Sequence, residues 1–417
     1  MAAMPILTIH RAADEIGGNC IELEFDGHRL LLDAGSPLAS GQAAIPRTLD
    51  TSAPVDALVI SHPHQDHCGL LRDLPRTWPV WCGAAAEVLI RMTASLSGAV
   101  LQQDFHNYNA HAAFNVGPFS ITPYLTDHSA FDAYMLLVEC AGKRVLYSGD
   151  FRRVGRKAVL VDRLMKSPPA NVDVLLLEGT TLGRTEAFPT EAELEEEFVS
   201  LLHRTSGRVF VSWSAQNIDR TVTIYRACKR TNRTLVLDLY TLDVLERLSA
   251  LYDSLPRLGW PNVRAVVTSS MKRLYENPER MNAPAFVERC ARSGNAMGAA
   301  GLSGASDSVV MLRPSLLRDY FQKGVSIEPA DTWVFSMWSG YLETPEYEDV
   351  RRLFESAGAA FAKIHTSGHA SRDDLEAFAR RIAPRHLVPI HSFTWDEHVD
   401  RFSNVRRLRD GERFTIP

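Results

Sequence analysis

Apolar residues along this chain fall in short runs, and many of these runs end in a polar residue with metal-binding or acid–base chemistry. Arg29-Leu30-Leu31-Leu32 ends at Asp33, and Val55-Asp56-Ala57-Leu58-Val59-Ile60 ends at Ser61-His62. Pro123-Tyr124-Leu125-Thr126-Asp127 brings in His128, Arg144-Val145-Leu146-Tyr147-Ser148-Gly149 brings in Asp150, and Val174-Leu175-Leu176-Leu177 brings in Glu178. Phe361-Ala362-Lys363-Ile364 leads to His365, Ser367 and His369, and His386-Leu387-Val388-Pro389-Ile390 leads to His391. Runs this short read as buried strands rather than helices. Functional sites collect at the carboxyl ends of strands in α/β architectures. One such ending is a weak signal, whereas several in succession are hard to assign to chance.

Helical patterns lie between the strands. Thr190-Glu191-Ala192-Glu193 forms a capping box that opens a helix through Leu201-Leu202. Ser371 caps a helix whose apolar stripe is Leu375, Phe378, Ala379 and Ile382. From about 182 to 360, strands at 208–212, 234–239, 265–268, 309–312 and 333–335 alternate with helices, which reads as a doubly wound α/β layer. The small, Gly-rich stretch 291–306 fits a mobile loop or a plain surface loop equally.

The densest chemistry is in Ser61-His62-Pro63-His64-Gln65-Asp66-His67-Cys68-Gly69. Four potential ligands lie within six positions on a strand-to-helix turn, with the helix expected to begin at Gly69–Leu74. Imidazole and carboxylate donors suit zinc or a similar divalent ion, and the spacing argues against a solvated His-rich loop. Cys68 reads as a small packing residue. Asp33 fits two roles equally, orienting a ligating imidazole or capping a turn. His106 and His111 read as solvated residues of a polar loop.

The 417 residues, 45% hydrophobic and 23% charged, suit two globular domains or one elaborated domain. No apolar stretch reaches the length of a membrane span, and Met1–Leu7 does not read as a signal peptide. Six cysteines without a CxxC pair suit a reduced, cytoplasmic protein. The net charge of −5 does not advertise nucleic-acid binding. It does not exclude it, because local basic clusters or bound cations reverse the sign at a site.

With these residues in hand, the chain resembles metallo-β-lactamase-fold hydrolases of the β-CASP group, nucleases of the ribonuclease J-like and mRNA 3′-end endonuclease-like kind. Asp33 matches the first motif, His62, His64, Asp66 and His67 the second, and His128 and Asp150 the third and fourth. Glu178 matches motif A, His369 in His-Thr-Ser-Gly-His-Ala motif B, and His391 in Pro-Ile-His-Ser motif C. The resemblance implies an αββα metallo-β-lactamase sandwich built from 1–181 and 361–417, with a doubly wound α/β β-CASP domain inserted at 182–360. Two departures stand out. The chain ends 26 residues after His391, leaving no counterpart of the ribonuclease J C-terminal domain, and motif C continues with Ser392-Phe393 where the family has Gly, often Gly-Glu.

The family pattern also implies roles. Two divalent ions, zinc or alternatively manganese, would be held by His62, His64 and His128 at one site and by Asp66, His67 and His391 at the other, with Asp150 bridging. Asp66 would also belong to the catalytic set, with His369 as the proton donor and Glu178 holding its ring. Asp33 would stand behind the ligands, and His365 and Ser367 would contact a phosphate of the bound strand. The implied substrate is single-stranded RNA, cut to leave a 5′-phosphate and a 3′-hydroxyl, with no membrane partner and room for a homodimer. A His in motif C goes with the RNA-processing branch. A DNA nuclease, a hydrolase of small esters or lactones, and a catalytically silent binding subunit remain competing readings. Arg152, Arg153, Arg156 and Lys157 fit phosphate contacts or a solvated basic loop equally. Trp213 reads as core rather than as a base-stacking residue.

Overall fold

The computed structural model describes residues 3–38 and 44–417. Met1 and Ala2, at the head of the segment weighed above as a signal peptide, lie outside them. The chain divides into two compact units. The first takes Met1–Ala94, Val100–Phe188 and Gly368–Pro417; the second takes Ser95–Ala99 and Pro189–Ser367. His365 and Ser367, placed by sequence with the returning metallo-β-lactamase segment, therefore belong to the second unit, while His369 belongs to the first.

In the first unit two sheets stack face to face. One runs, in spatial order, Arg413–Thr415, Ile6–Arg11, Cys20–Phe25, His28–Leu32, Ala57–Val59, Val80–Gly83 and Phe105–Tyr108. The other runs His386–Pro389, Val174–Leu177, Lys143–Tyr147, Tyr134–Cys140, Phe119–Leu125 and Phe114–Val116. Strand side chains alternate between faces, and here both faces are apolar. Leu30, Leu32, Leu136 and Val138 fill the space between the sheets. Leu31 packs outward with Trp78, Ala86 and Ile90, and Leu137 outward with Phe378 and Ile382. Each sheet is thus covered by helices, Ala84–Leu96 on one and Ala158–Lys166 and Arg372–Ile382 on the other. This is the expected αββα layering. It explains why the strands read as continuous apolar runs rather than alternating ones.

The second unit is a wholly parallel sheet in the order Ala296–Gly298, Val263–Val267, Thr234–Asp238, Ser308–Met311, Val209–Ser212, Thr332–Phe335 and Ala360–Lys363. Parallel neighbours need crossovers, and helices such as Ile218–Arg230 and Pro345–Ser356 supply them. The capping box at Thr190 and Glu193 forms as expected. The stretch 291–306 is more ordered than either loop reading, contributing the edge strand Ala296–Gly298 and the 3-10 segment Ala299–Gly304. No helix among the described residues is long and apolar enough to cross a membrane.

Candidate metal centre

The ligand run itself forms the helical turn. Gln65–Cys68 is a short α-helix, and beyond Gly69 the chain makes only a 3-10 turn, Leu71–Asp73, rather than the expected helix. Pro75 removes a backbone donor and explains the stop. The turn packs tightly on a neighbouring loop: a Cβ on Gly35 would lie 1.7 Å from the Asp66 carbonyl oxygen. Gly149, at φ +50°, faces the Tyr134 carbonyl and Ser61, where a Cβ would sit 3.0 Å and 3.2 Å away. A side chain at either glycine would shift the ligand beside it. His391 itself adopts φ 55°, a conformation uncommon outside glycine and frequent at functional positions.

Three groups of donors converge: His62, His64 and His128; Asp66, His67, Asp150 and His391; and Asp150, Glu178 and His369. Within each group the donor atoms lie within 4.8 Å of one another. Asp150 is the common point. Its Oδ2 lies 3.1 Å from His67 Nε2, 3.7 Å from His391 Nε2, 3.8 Å from His62 Nε2 and 3.7 Å from His369 Nδ1. His128 Nε2 stands 3.2 Å from His64 Nδ1, and His391 Nε2 stands 3.7 Å from Asp66 Oδ2.

The far nitrogens are fixed from outside. His67 Nδ1 donates to Asp33 Oδ2 at 2.7 Å, His391 Nδ1 to Asn19 Oδ1 at 2.7 Å, and His128 Nδ1 to the Gly368 carbonyl at 2.5 Å. Such bonds set the tautomer and aim the other nitrogen inward. Asp33 accepts further bonds from Ser61 N, Ser61 Oγ and Tyr147 Oη, at 2.6, 2.7 and 2.5 Å. It therefore orients the His67 imidazole and also receives the backbone at Ser61.

Burial keeps His62, His64, His128 and His391 below the usual histidine range, hence neutral and able to ligate. Burial opposes charge on His67 as well, but Asp150, Asp33 and Asp66 outweigh it and push that ring well up. Asp150 is held well below the carboxylate range despite its burial, by His391 and His67 first. His62 Nε2, His391 Nε2 and Asp150 Oδ1 are buried and lack a hydrogen-bond partner. Unpaired buried polar atoms are costly. Their convergence on one space, lined by imidazole and carboxylate donors, fits divalent cations.

His369 is more open, with 22% of its side chain exposed, and its Nδ1 meets Glu178 Oε2 at 2.9 Å. Glu178 is held from behind by the Phe151 N–H at 2.9 Å. Burial works against a charge on His369, yet Glu178 and then Asp150 raise it to about 9. Cys68 is buried, bonds to the Pro63 carbonyl and joins none of the donor groups.

Other expectations change. His106 is on the strand Phe105–Tyr108, stacked on Trp81 at 4.7 Å, because alternation on that edge strand turns its ring onto the sheet. Arg152 is neither solvated nor free for phosphate; it is fully buried against Asp127. Arg153 pairs with Asp162 and Asp374. In the second unit, Trp213 is core, bonding Thr221. Asn19, Ser61 and Tyr147 support the centre without having been singled out by sequence. Ser61 had a signal in its position directly before the tetrad; Asn19 follows Gly17-Gly18, a turn pattern that carries no chemistry.

Residues 28–237 match a family model described as the beta-lactamase superfamily domain, and residues 359–392 one described as the Zn-dependent metallo-hydrolase RNA specificity domain. The chain is similar to a ribonuclease J of Mycoplasma pneumoniae, 24% identical over 90% of this chain and 66% of that protein. It is also similar to the cleavage and polyadenylation specificity factor 73 of Drosophila melanogaster, 28% identical over 91% of this chain and 58% of that one. The chain thus spans just under two-thirds, or less, of the length of these relatives. A crystal structure of a protein of unknown function from Enterococcus faecalis V583 shares the fold, with a TM-score of 0.77 at 18% identity over 99% of this chain and all of that one. Similar along most of its length to ribonuclease J-like proteins of the β-CASP group, the chain belongs to the metallo-β-lactamase superfamily.

Proposed function

We propose that this chain is a zinc-dependent ribonuclease that hydrolyses single-stranded RNA to 5′-phosphate and 3′-hydroxyl ends. The observation that carries it is Asp150 Oδ2 standing within 4 Å of four imidazoles, between the His62–His64–His128 cluster and the His369–Glu178 pair. His62, His64 and His128 would hold one ion, Asp66, His67 and His391 the other, and Asp150 would touch both. When bound, the pair supplies Lewis acidity that lowers the pKa of a water and neutralises phosphoryl charge.

The chain's own groups do the rest. Asp33, Asn19 and the Gly368 carbonyl hold three imidazoles in their inward tautomers. Glu178 keeps the proton of His369 on Nδ1, so that Nε2 carries a second proton in the cationic form. As water attacks phosphorus, the P–O3′ bond breaks and His369 Nε2 delivers its proton to the leaving 3′-oxygen. Asp66 completes the catalytic set as a ligand on the side of His391. His365 and Ser367 would contact a phosphate of the strand.

Incubating the zinc-loaded chain with matched RNA and DNA strands tests this. RNA turnover that chelation abolishes is expected. Turnover of DNA alone, or ester hydrolysis with both nucleic acids intact, would reject the reading.

A further inference from the structure

Trp338 and Tyr341 are large aromatic side chains left in water, 53% and 47% exposed. Both lie beyond the strand Thr332–Phe335, at the carboxyl end of the second unit's parallel sheet, where α/β sheets present their ligands. The rings meet edge to face, with centroids 5.7 Å apart and planes at 83°. Trp338 folds over Gly340, where a Cβ would lie 2.3 Å from the indole, so the bare backbone is what lets the ring lie there.

The mount is rigid. Leu342 is buried beneath the turn, and the Tyr341 N–H donates to the Trp338 carbonyl at 3.1 Å. Ser336 donates from its N–H to Ser212 and accepts from the buried Arg220. The Ser336 hydroxyl ties this strand end to the next by donating to the Ile364 carbonyl at 2.5 Å. On that neighbouring end Lys363 is exposed, and His365 Nδ1 and Thr366 Oγ1 are buried without a hydrogen-bond partner. The match to the RNA specificity domain, residues 359–392, takes in this strand together with Lys363 and His365.

We propose that Trp338 and Tyr341 form a nucleobase-stacking platform for single-stranded RNA, with Lys363 drawing the strand's phosphates to it. The proposal rests on the ribonuclease reading above. Every base has a π-face, so such a platform binds without demanding one sequence. Indole and phenol rings held at right angles accept two successive bases only if the strand turns between them. That favours flexible single strands over duplex.

Trp338 is the one exposed tryptophan among the described residues, so the part of the emission that W338A removes reports on the platform. In a stopped-flow instrument the zinc-loaded full-length chain is mixed with oligoadenylate, and quenching is read before turnover. The control is an abasic oligomer of equal charge. Oligoadenylate is expected to quench strongly and the abasic strand weakly. Followed by the anisotropy of end-labelled strands, W338A should weaken oligoadenylate binding about tenfold or more, leave abasic binding unchanged, and keep the thermal midpoint, since the ring is exposed. Undiminished oligoadenylate binding by W338A would overturn the proposal. So would conversion of an oligomer to a monomer with RNA binding intact, which would make this face a protein interface. Quenching by RNA that is never cut would reject the ribonuclease reading and leave the platform standing. Cutting with KM unchanged in W338A would do the reverse.

Discussion

Glu178 and His369 lie 191 positions apart in the chain and 2.9 Å apart in space. One carboxylate oxygen takes the Phe151 N–H and the other takes His369 Nδ1, so the pair is fixed at both ends. A ring fixed this way would serve as a proton donor at its outer nitrogen, and with Asp150 the same pair forms one of the three donor groups.

Those two roles separate experimentally. H369A should keep its metal content and lose about 10²–10⁴-fold in the cleavage step, the range of general acid catalysis. E178Q should fall between H369A and the parent chain, because the neutral amide keeps one acceptor oxygen for two donors, the Phe151 N–H and His369 Nδ1. Elemental analysis alongside single-turnover cleavage decides. If H369A loses metal, the residue is a ligand.

Asp150 makes the opposite prediction. It faces His62, His67, His369 and His391 at once. D150A should empty or disorder both metal sites, read as zinc per chain after gel filtration. A fully metallated, active D150A would refute the shared ligand.

Asp33 touches no proposed ion, yet it holds His67 and the Ser61 backbone. D33N should weaken zinc affinity about 10–100-fold, measured by competition with a chromophoric chelator. Unchanged affinity would mean that the ligand turn is held in place without it.

The candidate ligands were legible in sequence because His62, His128, Asp150 and His391 each follow an apolar strand, while His64, Asp66 and His67 share the turn after the first, so local pattern places them without knowledge of their partners. What escaped is lateral. Asn19 reaches His391 from 372 positions away and Tyr147 reaches Asp33 from 114; nothing in the local pattern of either residue encodes the partner. Arg152 misled for the same reason. A run of basic residues looks solvated until Asp127 is found buried against it. The helix expected after Gly69 failed on local chemistry, since Pro75 leaves room only for a 3-10 turn.

His365 links stability to pH. Burial first, and Arg220 next, push it down to about 3, whereas in the unfolded chain it titrates near 6.5. Between these values the unfolded state binds the extra proton, so stability rises with pH. The contribution is complete above 6.5 and is lost as pH falls toward 3, with a slope of at most about 1.4 kcal/mol per pH unit. Urea midpoints from pH 7 to 4.5 should fall less steeply in H365Q than in the parent chain. Parallel curves would show that His365 takes up its proton in the folded state without penalty.

Attack of water on phosphorus in RNA at the centre around Asp150, with His369 protonating the 3′-oxygen, fixes where a new oxygen ends up. Cleaving a defined single strand with the zinc-loaded chain in heavy-oxygen water, then analysing both new ends by mass spectrometry, tests it most directly. A 3′-hydroxyl end and a 5′-phosphate carrying the heavy oxygen are expected. A 2′,3′-cyclic phosphate end, or a heavy oxygen on the 3′ side, would contradict it.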